Sequence, residues 1–236
     1  MILIFRRDSF GLLVTSLPQS ELLKYVQAQA RNFFPDGYDL RGKDVEIAFQ
    51  SAMERTEICM DSIIDYHDAE GNAIFSHLHA DQYATFLYYF ANSLWTQSGN
   101  RPLCDRLLQL NRVLFSVFIP YNCRLPEHFR LAHPVGTVLL GNTTYGDFLV
   151  VLQGVTVGRV NDSPFPKLGK GLFLGAGAKV IGGEPIGDRV SIGVNALVYK
   201  QAIPDDSVVT ARGGACVIQP RIKRECMAQR HFNLPV

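Results

Sequence analysis

The sequence predicts an α+β chain: an all-helical N-terminal domain over residues 1–118, a coil of stacked six-residue repeats over 119–218, and a basic tail over 219–236. Three observations carry this. Between residues 168 and 203, aliphatic side chains recur at a strict spacing of six: Leu168, Leu174, Val180, Ile186, Ile192 and Val198. Upstream of Pro120, apolar residues recur instead at the roughly 3.6-residue spacing of amphipathic helices. At Pro120 the helical periodicity stops, and Gly, Val and Leu become dense. A period of six fits neither one helix nor one long strand. It fits a chain that turns a corner every six residues and points one side chain per flat side inward. Stacked coils of that kind bury a continuous aliphatic column.

Taken in order, residues 1–20 are apolar and irregular, the pattern of a short strand or an arm. A first helix is expected from Glu21 to Phe34, closed by the turn signature Pro35-Asp36-Gly37. A second follows with Asp44 as its cap, and Val45, Phe49, Met53, Met60 and Ile63 on its apolar face. Glu70-Gly71-Asn72 breaks the pattern. A third helix covers Asp81 to Thr96 and stops near Gly99. The fourth starts at Pro102, where a missing N–H costs nothing, and ends at Pro120.

Inside the coil, Gly directly follows Leu168, Leu174, Ile186 and Ile192, where a Cβ would crowd a sharp corner. Positions four further on are small or aliphatic, as at Leu172, Ala178, Val190 and Ala196. A second six-residue series, Leu139, Tyr145, Val151 and Val157, comes earlier and is out of phase, because Val157 to Leu168 is eleven residues. Gly158–Lys167 (GRVNDSPFPK) is therefore a loop thrown out of the coil, a common place for function. The tail carries Arg221, Lys223, Arg224 and Arg230 and has the composition of a solvated segment.

Composition narrows the function. A net charge of +1 on 236 residues argues against nucleic acid. No apolar run approaches the roughly 18 residues of a membrane span. The start Met-Ile-Leu-Ile-Phe lacks a basic stretch ahead of it, so no signal peptide is read and a cytoplasmic location is expected. Cys59, Cys104, Cys123, Cys216 and Cys226 form no Cys-x-x-Cys, as expected of scattered reduced thiols. His77 and His79 have no second ligand set, so no metal is expected.

Five stretches now stand out: His133-Pro-Val-Gly, Leu152-Gln153-Gly-Val-Thr-Val-Gly158, Pro166-Lys167-Leu168, Gly175-Ala-Gly-Ala-Lys179 and Ile203-Pro204-Asp205. In this order they resemble the serine acetyltransferase group of hexapeptide-repeat acyltransferases, over about residues 118–218. The resemblance implies a left-handed parallel β-helix and a homotrimer, with active sites in clefts between subunits. A dimer of trimers could form through the helical domain. It implies acetyl-CoA as co-substrate and His133 as the base that deprotonates the acceptor. Imidazole suits that task, because its pKa lies near neutrality. His133 precedes Gln153 by twenty residues, as in the group. Its phase with Leu139 and Tyr145 would nevertheless turn it inward in a strict coil. On the donor side the resemblance places Gly158, Ala178 and Ala196 against the pantetheine arm. Arg212, Lys223 or Arg224 could face its phosphates, since the group's late Gly-x-Pro-Ala-Lys/Arg is altered here to Gly213-Gly-Ala-Cys-Val217. Gln153, Asp162 and Phe165 would face the acceptor.

The chain departs from the group at three polar positions. Ala132 stands where its serine enzymes carry Asp just before the histidine. Phe118 stands where a carboxylate orients the imidazole, and Phe165 replaces a second histidine. A backbone carbonyl, Glu127 or Asp147 could orient His133 instead. A serine site must hold an ammonium and a carboxylate, so losing polar groups weakens that reading. Aromatic rings pack on sugar faces, and the expected acceptor is a sugar or another small hydroxylated or amino metabolite. The alternatives are serine O-acetylation in a rearranged site and a catalytically inactive trimeric scaffold.

Overall fold

The computed structural model describes residues 13–161 and 163–236, in two compact units that meet between Phe115 and Ser116. The expected N-terminal arm lies outside the described residues as far as residue 12.

In the first unit β1 (Val14–Thr15) is followed by α1 (Gln19–Phe33) and α2 (Lys43–Asp61). Then come β2 (Ile74–Phe75), parallel to β1, and α3 (Ala80–Ser98) and α4 (Arg101–Phe115). The core is built around α3, which is buried without a break from Asp81 to Ala91. A helix apolar on all sides must be wrapped by its neighbours. Phe86 does much of this packing, with its ring 5.8 Å from Phe49 and 5.9 Å from Tyr83. Gly99 ends α3 in the left-handed conformation expected of it, at φ 62°.

Two expected boundaries are corrected. The cap of α2 is Gly42, at φ 110°, and Asp44 lies inside the first turn, where its charge complements the helix dipole. There it accepts the Asn100 side-chain amide at 3.3 Å. Helix α4 stops at Phe115, short of Pro120, because Ser116 takes φ 56°. The chain has entered the coil by Phe118, whose N–H donates to the Thr137 carbonyl at 2.9 Å.

The second unit is a three-faced parallel coil. One face carries β3 (Phe129–Ala132), β4 (Leu149–Leu152), β6 (Phe173–Leu174), β8 (Ser191–Ile192) and β10 (Ser207–Arg212), with β11 (Ala215–Pro220) added antiparallel at the edge. The second face carries β5 (Thr156–Gly158), β7 (Lys179–Ile181) and β9 (Leu197–Tyr199). Single bridges from Tyr145 through Leu168 and Ile186 to Ile203 make the third. The six-residue positions form the inner column: Leu174 and Ile192 are 0% exposed, Val180 and Ile186 3%. Residues 213 and 214, both Gly and both at positive φ, close the β10–β11 hairpin, the two-residue turn that needs left-handed backbone twice.

Register explains the breaks in spacing. Leu174 pairs with Ile192, one coil of 18 residues or three sixes. Val151 pairs with Leu174, 23 residues on, and the extra five lie in the Gly158–Lys167 loop. Leu131 pairs with Val151, 20 residues on, whereas Val138 pairs with Thr156, 18 on. The two extra residues of the first coil therefore lie between Ala132 and Val138.

The tail is not a solvated segment. Arg221 and Arg189 both bind the Asp206 carboxylate, Arg189 through Nε at 2.9 Å and Nη2 at 2.7 Å. These bonds, Arg189 first, hold Asp206 down to about 2 against the opposing effect of desolvation. Beyond them Cys226, Ala228 and Phe232 are buried. Phe232 meets the Phe148 ring at 5.3 Å, and His231 stacks on Phe173 at 5.7 Å. The apolar residues scattered along this tail gain more by covering the first face than its charges lose.

Candidate active site

His133 sits in the enlarged corner of the first coil. It follows β3 directly, at φ 50° and exposed. A strict six-residue phase would have buried it, and the two extra residues of residues 133–137 are why it is not. The corner is tied down at each step. The Val135 N–H donates to the His133 carbonyl at 2.7 Å, and the Thr137 N–H to the Pro134 carbonyl at 3.0 Å. Gly136 N–H donates to Ser116, and the Val135 carbonyl accepts Gly154 N–H at 2.9 Å. Since Ala132 pairs with Leu152, His133 and Gln153 leave the sheet at the same corner of adjacent coils. Both are exposed. Two residues from different coils, an imidazole and an amide, thus share one rim.

Two of the replaced polar positions adjoin this corner, and the third lies in the loop. Ala132 is buried at the end of β3, and Phe118, half-buried, pairs beside Val138. Phe165 lies in the loop, 37% exposed, under the Arg159 guanidinium at 4.6 Å. Arg159 also donates to the Ser163 carbonyl at 3.1 Å, so the loop is folded back on itself. Asp162 lies outside the described residues.

Three of the donor-side residues, Gly158, Ala178 and Ala196, lie on or beside the ladder of the second face. Gly158 ends β5 beside Ile181. Ala178 and Ala196 are fully buried, and their carbonyls accept the Thr156 and Lys179 N–H groups. Arg212 is exposed at the β10–β11 hairpin. Lys223 is exposed in the tail, its carbonyl accepting Arg221 Nη1 at 2.6 Å.

Glu127 and Asp147, considered as orienting groups for His133, both turn to His128. Asp147 accepts the His128 backbone N–H at 3.0 Å and binds its Nδ1 at 2.8 Å, and Glu127 is 3.9 Å from Nε2. The His128 ring stacks on Phe148 at 5.0 Å. The Asp147 bond raises the His128 pKa above its usual value, although desolvation opposes it. Partial burial pushes Asp147 up, and the His128 ring and amide outweigh it and hold the carboxyl below the ordinary range. A spacing of 19, close to one 20-residue coil, was the signal available in the sequence for this pair. A histidine held high contributes stability below about pH 6.5 and loses it as the pH rises through its raised value. The lowered carboxylate contributes above about pH 4 and loses it as the pH falls through its lowered value. The pair is at full strength between these limits. Asp147→Asn should therefore cost about 1 kcal/mol at about pH 5.5, small because the carboxylate is part exposed, and less at about pH 9. Thermal melts across this range check it; a loss that does not vary with pH would show that the pair is not ionic.

Three comparisons bear on the chain as a whole. No protein-family model matches the chain. Among curated relatives, the serine acetyltransferase of Synechococcus elongatus is 31% identical over 133 residues, 55% of this chain and 54% of that protein. Serine acetyltransferase of Staphylococcus aureus is 26% identical over 162 residues, 67% of this chain and 75% of that one. The chain thus spans about half of the first relative and three quarters of the second. Among solved structures, Neisseria gonorrhoeae serine acetyltransferase superposes with a TM-score of 0.69 at 21% identity, covering 90% of this chain and 83% of that one. A serine acetyltransferase in complex with CoA gives 0.63 at 22% identity, covering 81% and 83%. Fold and corner together define a left-handed β-helix of hexapeptide repeats behind a helical N-terminal domain. Within that class the chain is similar to serine acetyltransferases.

Proposed function

We propose that this chain is an acyl-CoA-dependent acyltransferase, with acetyl-CoA as donor and His133 as general base. The supporting observation is the corner itself: an exposed histidine on a left-handed residue, held by backbone bonds, beside Gln153 of the next coil. In this reading the imidazole takes the acceptor's proton while the acceptor oxygen attacks the thioester carbonyl. The C–S bond then breaks and the CoA sulfur receives the proton. No acyl-enzyme is required when both substrates meet in one cleft, where orientation supplies much of the rate. The cleft would lie between subunits of a homotrimer, and the helical domain could pair two trimers.

For the acceptor, the relatives favour L-serine over the sugar expected from the sequence. One observation supports a second reading: Ala132, Phe118 and Phe165 leave three positions near the corner and loop without polar groups. Thiol release from acetyl-CoA, measured with L-serine and with a panel of hydroxy and amino sugars, tests both. Serine turnover is expected. Turnover only with sugars would replace serine by the second reading. No turnover and no CoA binding would overturn the enzyme reading and leave a repeat scaffold.

A further inference from the structure

We propose that Thr137 is a positioning residue for His133, an inference that rests on the general-base reading above. Thr137 is 0% exposed, the last residue of the enlarged corner, and a polar side chain in that place needs a partner. It has one: Oγ1 donates to the Leu152 carbonyl at 3.1 Å. Leu152 immediately precedes Gln153, so this hydroxyl joins the corner that carries His133 to the corner that carries Gln153. Its backbone closes the same turn from both ends. The Thr137 N–H bonds back to Pro134, the residue after His133, and the Thr137 carbonyl accepts Phe118 N–H.

The geometry gives this bond a purpose. His133 holds a left-handed φ that non-glycine residues adopt only when their surroundings impose it. The two-residue enlargement frees the corner from the regular ladder, so the ladder alone no longer sets its shape. The threonine hydroxyl supplies a constraint across the coils at that place. A general base must lie within hydrogen-bond reach of the proton that it takes, and a shift of about 1 Å can cost about 100-fold in rate. Valine matches threonine in shape and lacks the hydroxyl, so it removes the tie while filling the space.

The experiment compares Thr137→Val, Thr137→Ser and His133→Ala in the full chain. Steady-state kinetics is combined with an NMR titration of the His133 imidazole, assigned by its loss in His133→Ala. Thr137→Val should lower kcat by roughly 10- to 100-fold with little change in KM for acetyl-CoA. It should also move the His133 titration, and Thr137→Ser, which keeps the hydroxyl, should restore both. An unchanged kcat and titration in Thr137→Val would overturn the proposal. So would a serine variant that behaves like valine, because packing and not the hydroxyl would then be responsible. Should Thr137→Val not fold, the serine variant and Thr137→Ala carry the same comparison. Full activity in His133→Ala would instead remove the general-base reading, while the titration still reports whether Thr137 sets the ring's surroundings.

Discussion

His133→Ala should lower kcat by roughly 10²- to 10⁴-fold, the usual contribution of a positioned proton acceptor. The effect should fall on kcat and kcat/KM together, because proton removal accompanies attack and contributes nothing to substrate binding. Folding should be untouched, since the side chain is exposed and the corner is held by main-chain bonds from Val135, Gly136 and Thr137. Alanine must still adopt φ near 50°, which costs about 1 kcal/mol and lies far below a fold's total stability. Steady-state kinetics beside a melting curve separates the two effects. Near-full activity would end the assignment. His128→Ala is the informative control. His128 has a carboxylate partner in Asp147, yet it sits at the opposite end of β3 from His133 and stacks beneath the tail on Phe148. Its loss should reduce stability and leave the rate largely intact; the reverse result would exchange the roles of the two histidines.

Gly169→Val should destabilise the coil by about 3 kcal/mol or more, at or above the upper end for overpacking. A Cβ at Gly169 would lie 2.5 Å from both the carbonyl carbon and oxygen of Gly187 on the next coil. Those atoms are backbone and are fixed by the Gly169 N–H bond to Ile186 and by the Gly187 N–H bond to Ile203. The clash cannot be relieved by rotating a side chain, so the coils must part. Gly158→Ala provides the contrast. Its Cβ would meet only the Ile181 Cδ1 methyl at 3.2 Å, which can swing aside, so the change should stay within about 1 kcal/mol. Urea unfolding of both variants checks the pair. Equal midpoints would show that the coil corners are not in contact as described.

Much of the coil was legible because its rule is local. One inward residue in six, with Gly beside it where backbones touch, is a pattern that a single chain must repeat. Leu168 to Val198 is accordingly buried position by position. The Gly158–Lys167 loop was legible for the complementary reason, as an interruption of that rule. The helices were found by their periodicity, and their ends were read less well. Pro120 was an obvious stop, but the chain had already left α4 at Ser116, where the demands of the first coil prevailed over helix propensity.

The site divides along the same line. His133 was singled out by the resemblance, through its stretch and its distance from Gln153, but its direction could not be read. Phase with Leu139 points inward, and only the 20-residue register of β3 against β4 shows two extra residues that turn it out. His128 and Asp147 carried only their 19-residue spacing, which a linear reading cannot turn into a contact until the length of the first coil is known. Lys223 and Arg221 looked alike as tail cations; one is exposed, and the other is held at Asp206. The sequence by itself determined the repeat and the loop, and its resemblance to a known family pointed to the histidine. The tertiary structure decided which side chains face out, which carboxylate serves which histidine and where the tail goes. Those outcomes depend on registry between coils, and registry is set by the length of each corner, a quantity that exists only once the coils are stacked.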